Sequence, residues 1–434
     1  MGELIDIPAG YKKSKVGLIP TDWNIFRLSG ILASAKLGGN YENSVSDYGL
    51  PLIKMGNILR GKVSIESLQY IPVGSEHHEN DFLKEGDLLF NTRNTLELVG
   101  KVAIWRSELP KALYNSNLLR LEFDKNHVHS NYFMNYVMNS DYAISQLRRF
   151  ATGTTSVAAI YSRDLNKLNV TLPSLPEQNK ITKILSAWDK AITDNQLLLS
   201  EYITNRKGLE QQLLSGQIRF KDHVISNDKI KTKVGILPKN WELKSITEIV
   251  DRVKEKLNPE PETLYREIGI RSHCKGIFHK EEVTGESLGN KSVFWIQPDC
   301  FVVNIVFAWE HAIAKTTEAE VGMIASHRFP LYKPKADILD LDYLLYYFKT
   351  ARGKHLLGLA SPGGAGRNKT LGQTEFAKLK IPVPSLQEQK RIVSVLSESD
   401  KEIELLKQNI TTLTEQKKGL MQKLLTGEIR VKVD

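Results

Sequence analysis

The sequence predicts an α+β chain: two globular mixed α/β domains separated by two long antiparallel coiled-coil helices, in a pseudo-two-fold internal repeat. Three observations lead there. Lys15-Val-Gly-Leu-Ile-Pro-Thr-Asp-Trp23 recurs 218 residues later as Lys233-Val-Gly-Ile-Leu-Pro-Lys-Asn-Trp241. Residues 173–219 recur 211 residues later as 384–430, with identity at 20 of 47 positions. Both of these segments hold helical apolar spacing over about 38 residues, whereas the stretches before them alternate short strand-like and helical runs. The expected division is a first globular domain at 1–172, a helix at 173–222, a second globular domain at 223–383 and a helix at 384–434.

In the first domain Leu88-Leu-Phe90, Lys101–Trp105 and Leu118–Phe123 read as strands. In the second, Cys300–Phe307 and Phe329–Tyr332 do. Tyr132–Asn139 and Leu341–Thr350 read as helices. Trp23 and Trp241 recur with the repeat and are expected to anchor cores. Two Gly-rich segments, 152–156 and 361–369, are either phosphate-binding nests or flexible turns.

Each long helix opens on Pro-Ser-Leu-x-Glu-Gln. Pro173 and Pro384 stop the preceding strand, Ser174 and Ser385 are N-caps, and Glu177 and Glu388 stand where a capping box needs them. The apolar stripe runs through Ile181, Leu185, Trp188, Ile192, Leu198, Tyr202 and Leu209. In the second helix it runs through Ile392, Leu396, Ile403, Leu406, Ile410, Leu413 and Leu420. Gly216 and Gly427 are C-cap glycines. A helix of this length spans nearly ~60 Å and needs a partner, so the two are expected to pair antiparallel. The stripe is wider than a two-position seam, which leaves apolar surface for helices of another protein.

The formal net charge is +9, and 1–172 and 221–383 carry seven of those nine charges, a bias that permits a polyanionic partner without demanding one. Two cysteines exclude a disulfide scaffold, and no apolar run is long enough to cross a membrane, so a cytoplasmic protein is expected. The sequence contains neither the Asp/Asn-Pro-Pro-Tyr/Phe motif of base amino-methylation nor a P-loop. Pro298-Asp299 with Glu310 lacks the lysine of a nuclease set, because Ala312 stands there. His273, Cys274, His279 and Cys300 match no zinc spacing. A non-catalytic chain without metal or cofactor of its own is expected.

The repeated layout, the two Pro-Ser-Leu-x-Glu-Gln helices, the Val-Gly-x-x-Pro-x-x-Trp openings and Lys84-Glu-Gly-Asp-Leu-Leu-Phe90 resemble the specificity subunit of type I restriction–modification systems, over essentially the whole chain. The resemblance implies that each globular domain is a target recognition domain reading half of a split, asymmetric double-stranded DNA site. It implies that the helices set the distance between halves and carry two methyltransferase subunits, joined by restriction subunits. S-adenosylmethionine, ATP and Mg would then be bound by those partners.

Such reading needs polar side chains at base edges and cations on phosphates. Three polar clusters interrupt the strand-like runs of each domain. In the first they supply Lys54, Asn57 and Arg60; Arg93, Asn94 and Thr95; and Arg148, Arg149, Thr154, Thr155 and Ser156. In the second they supply Arg271, Ser272, His273 and Lys275; His311; and Arg367, Asn368 and Lys369. Arg60, Arg93, Arg271 and Arg367 suit guanine or phosphate, and Asn94 and Asn368 suit adenine. Trp309 is either a core side chain or a wedge against DNA, and Trp188 is read as helix packing.

Overall fold

A computed structural model describes residues 7–45, 48–226, 228–232, 234–363 and 369–433. They form two compact units, one of residues 1–196 with 408–434 and one of residues 197–407. The two long helices, Leu175–Leu214 and Leu386–Thr426, each contribute to both units. Every unit is therefore a globular domain joined to the first half of one helix and the second half of the other.

In the first unit a five-stranded sheet has the order Leu32–Leu37, Leu118–Phe123, Leu88–Asn91, Val102–Ile104, Gly61–Lys62, antiparallel except for the last pair. The near-continuous apolar composition of 88–90 and 102–104 follows from burial on both faces. Helices Asn131–Met138 and Asp141–Phe150 cover it, capped by Ser130 and Ser140. The core under them also takes Ile181, Leu185, Met421 and Leu424 from the long helices.

The second unit is built on a four-stranded antiparallel sheet, Val250–Val253, Leu331–Pro334, Phe301–Val303 and Ile313–Lys315, beside a mixed five-stranded sheet. Helices Leu341–Lys349 and Ala351–Leu359 pack on it, with Leu213, Leu214, Ile392 and Leu396 in the shared core. Two strands differ from expectation. The run from Cys300 pairs only at 301–303, because the Asn304 side chain accepts the Val306 N–H (3.1 Å) and starts a turn. The run at Phe329 pairs only from Leu331, since Pro330 has no N–H to give.

Through the middle of each helix the seam is narrower than expected. Near the ends Ile184, Leu214, Val395, Met421 and Leu425 also pack on the globular cores, and along the seam half-buried and buried positions recur at 181, 185, 188, 192, 195, 199, 202, 206, 209 and 213, and at 392, 396, 399, 403, 406, 410, 413, 417, 420 and 424. That is a strict 3.5-residue heptad period. Leu199 therefore occupies the seam, and Leu198, expected there, is 40% exposed. The other expected seam residues are on it, Trp188 half-buried among them. The period also admits polar members, Asn195 and Arg206 in one helix and Ser399 and Lys417 in the other.

The helix starts are half as expected. The Ser174 and Ser385 hydroxyls accept the N–H groups of Glu177 (3.4 Å) and Glu388 (3.3 Å). The glutamate side chains do not return to the cap, so the capping box is a correction. Glu177 accepts from the Trp23 indole (3.2 Å) and from Arg430 (2.8 and 3.1 Å). Glu388 accepts from the Trp241 indole (3.1 Å) and from Arg219 (2.8 Å twice). Gln178 and Gln389 are fully buried and tie the helix start to the loop ahead of the first domain helix, through His127 and His129 in one unit and Ile338 and Asp340 in the other. Both C-cap glycines take positive φ, +69° at Gly216 and +75° at Gly427, against Pro238 and Pro20. The repeated Pro, Trp, Glu, Gly and Arg thus meet at one lock in each unit.

Candidate nucleic-acid interface

In the first unit two of the three polar clusters come together. Arg93–Asn94 is the edge strand of a small antiparallel sheet with Ala158–Ala159 and Thr152–Gly153. The hairpin 152–159 follows directly on the helix that carries Arg148 and Arg149 in its last turn. Thr95 and Asn94 are half-buried, and Thr154, Thr155 and Ser156 are exposed on the hairpin, where the Thr154 and Ser156 hydroxyls bond each other (3.2 Å). Arg149 turns back to the Ser145 carbonyl (3.3 Å).

Arg60 approaches this patch from the first cluster. Its guanidinium is half-buried, and its Nη1 is buried without an acceptor among the described residues. Burial and then the neighbouring Arg148 charge both lower its pKa. The Arg93 and Arg148 guanidinium groups likewise have no hydrogen bond or ion pair among the described residues. By contrast Arg106, Arg120 and Arg163 of the same unit all pair with carboxylates. Guanidinia left without acceptors on one patch are charges available to an external anion.

The other members of the first cluster do different work. Asn57 is 5% exposed and is a correction: its Oδ1 accepts the Lys54 N–H (2.9 Å) and its amide donates to the Ser64 and Ser67 carbonyls (3.0 Å each). Both its amide hydrogens are used inside the fold, and its burial keeps it off the surface. Lys54 is half-buried and donates to Asn43 and Gln69.

In the second unit the loop 271–275 meets the turn 309–311. The His273 and Cys274 N–H groups donate to the Glu310 (2.8 Å) and His311 (2.9 Å) carbonyls, and the Ser272 hydroxyl donates to the Glu310 carboxylate (3.0 Å). His273, Cys274 and His311 all have positive φ, between +55° and +65°, so both turns are held in a left-handed conformation by these bonds. Arg271 lies 4.9 Å over the Phe278 ring, and exposed His273 and Lys275 flank it. Lys369 stands 5.7 Å over the half-buried Trp309, which bonds the Val306 carbonyl and belongs to no core cluster. Arg367 and Asn368 lie outside the described residues.

His311 is the second correction. It is 8% exposed, and its Nε2 is buried without a partner among the described residues. Burial, and then the Lys354 charge, push its imidazole below the ordinary value. It sets the turn and cannot reach a ligand. Glu310, which orders the 271–275 loop, and Phe278, which carries Arg271, were not among the expected site residues. The Arg–Phe adjacency across a hairpin is visible only once Arg271 and Phe278 are known to sit on paired strands' ends. His279 is bound to Glu320 (2.9 Å), and the Cys300 thiol, raised by burial, faces the Pro298 carbonyl. No helix of the described residues is long and apolar enough to cross a membrane.

Comparison with known proteins shows what the chain as a whole is similar to. The chain is 27% identical over 436 residues to the putative type I restriction enzyme MjaX specificity subunit of Methanocaldococcus jannaschii, covering 97% of each. It is 22% identical to the type I restriction enzyme MjaVIII specificity subunit of the same organism, covering 95% of this chain and 94% of that one. Its fold resembles the crystal structure of the HsdS subunit from Thermoanaerobacter tengcongensis, with TM-score 0.50, 16% identity, and 95% and 98% of the two chains covered. It also resembles the type I restriction–modification S subunit from M. genitalium, with TM-score 0.54, 15% identity, and 93% and 96% covered. The family model of the type I restriction modification DNA specificity domain matches twice, at residues 20–200 and 238–415. With two copies of that domain filling most of its length, the chain belongs to the type I restriction modification DNA specificity domain family.

Proposed function

We propose that this chain reads a bipartite, asymmetric double-stranded DNA site, one half with each unit, and that it works inside a multisubunit complex. The observation that carries the reading is the gathering of Arg60, Arg93 and Arg148, without acceptors among the described residues, beside the polar hairpin 152–159. Arg271, Lys275 and Lys369 play the same part in the second unit. Cations of this kind position the protein on phosphates, while Asn94, the hairpin threonines and Ser272 are of the type that reads base edges.

The two long helices set the number of unread base pairs between the half-sites and dock two methyltransferase subunits, to which restriction subunits attach. The chain does no chemistry alone. S-adenosylmethionine, ATP and Mg belong to those partners, and the assembly acts in the cytoplasm. The weak positive bias of the domains fits a subunit that relies on its partners to hold DNA.

The test is to map methylated bases in cells carrying this gene with its methyltransferase partner. A single split motif is expected. Adding one heptad to both helices, about 10 Å, is expected to widen the unread gap by about three base pairs. Methylation without sequence preference, or equal affinity of the complex for scrambled DNA, would overturn the reading.

A further inference from the structure

The two units repeat each other where the long helices meet the domain helices. Tyr136 donates to Asp189 (2.7 Å) and Tyr346 to Asp400 (2.8 Å), and Ser140 and Thr350 cap the next helix of each unit. Counted from these anchors, Val137 stands where Tyr347 does. Likewise Ile19 matches Leu237, Val170 matches Ile381 and Leu425 matches Leu214. In the second unit Tyr347, Leu237, Ile381 and Leu214 all belong to one core, and Trp241 joins them. In the first, Ile19 and Trp23 are buried, yet neither joins the core of that unit.

A cavity sets Ile19 apart. It has a volume of about 40 Å³, is partly open to solvent, and is lined by Ile19, Val137, Ala143, Val170, Leu425 and Gln422. It lies at the start of the helix whose other end carries Arg148 and Arg149. Protein interiors are close-packed, and a space of this size holds about three waters at ~10–15 Å³ each. One donor in its wall is orphaned: Gln422 Nε2 is buried with no acceptor among the described residues. Ser140 and Asn169 also line the space, but their side chains donate to the Val137 carbonyl (2.7 Å) and to Gln146 (3.4 Å). Gln211, the counterpart of Gln422, is exposed, so its amide meets water. No charged side chain lines the cavity.

We infer that this cavity of the first unit binds a small neutral molecule made of one flat ring and one hydrogen-bond acceptor. The ring takes the place that Tyr347 fills in the second unit, and the acceptor takes the Gln422 amide. Three features select this ligand. The repeat puts a phenol ring at the matching position, a single buried donor lacks its acceptor, and no charge is present to hold an ion. A bound ring joins Ile19, and with it the hairpin Tyr11–Ser14 and Gly17–Pro20, to the core of the first unit. The site is independent of DNA reading and of partner docking.

The experiment adds phenol to the full chain, with binding read by titration calorimetry and stability by a thermal melt. One saturable site per chain and a raised Tm are expected. Benzoate, which carries a charge, should not bind. V137Y supplies the ring from the chain itself, so it should raise Tm without phenol and abolish the phenol site. Q422L decides the matter independently of whether tyrosine fits at 137. It removes the orphaned donor, should fold with an unchanged or raised Tm, and should lower the ratio of phenol to toluene affinity by about tenfold. Phenol that saturates no site at millimolar concentration overturns the inference. So does equal phenol binding by the wild type and folded V137Y, or a phenol-to-toluene ratio that Q422L leaves unchanged.

Discussion

Arg219 grips Glu388 with two parallel N–H···O bonds, both 2.8 Å, at the start of the second long helix. The two side chains are 7% and 1% exposed, and the Trp241 indole donates to the same carboxylate. E388Q keeps the shape but leaves the guanidinium buried without its charge partner. It should cost about 3–5 kcal/mol, read as a shift in the denaturant midpoint of the second unit. E177Q should cost less, about 1–3 kcal/mol, because Arg430 is 40% exposed and also bonds Asp22.

Part of this lock is legible in the sequence. Ser174 and Ser385 were readable as caps because the signal is local. The roles of Glu177 and Glu388 were not, since their partners lie 253 and 169 residues away and a capping box explains the same spacing. The clue was the repetition itself, in which Pro, Trp, Glu, Gly and Arg recur as a set. Leu197, Leu198 and Leu199 form a run of three leucines, and only the period through Asn195 and Arg206 picks Leu199 as the inward one. Of the site, Arg60, Arg93 and Arg148 are legible as cations in polar clusters between strand-like runs, whereas Asn57 and His311 look identical to surface residues until burial is known.

The seam makes a second prediction. Asn195 sits on the heptad line and bonds Asn409 (3.1 Å), where the repeat carries Leu406. N195L exchanges a half-buried amide for apolar contact and should raise stability by about 1 kcal/mol, measured as a higher Tm.

His311 gives a pH dependence with a definite sign. Its folded-state pKa is depressed from 6.5 by burial, so the unfolded chain takes up the proton first as pH falls. The stability it contributes is present above about pH 6.5 and is lost as pH drops from there towards the depressed value. H311N, which tolerates the positive φ, should flatten this part of the stability–pH curve in urea titrations.

The DNA patch is tested by separating contact from fold. R93A and R148A should leave Tm unchanged, weaken DNA binding by the assembled complex, and each reduce the salt slope by about one. N57A should do the reverse, losing about 1–3 kcal/mol of stability with little effect on DNA affinity per folded molecule.

The division of the chain also fixes an order of birth. The second unit is continuous from 197 to 407, but the first is completed only by 408–434. During synthesis Glu177 waits for Arg430, 253 residues behind it, for roughly 13–50 s at ~5–20 residues per second. The second unit has all its parts once Lys407 is made, about 1–5 s before Arg430 at that rate, while the first still presents an unfinished helix and an unlocked Trp23. A chain released early, after Lys407, would carry one finished reader and one that only a nursemaid could keep from sticking to its neighbours.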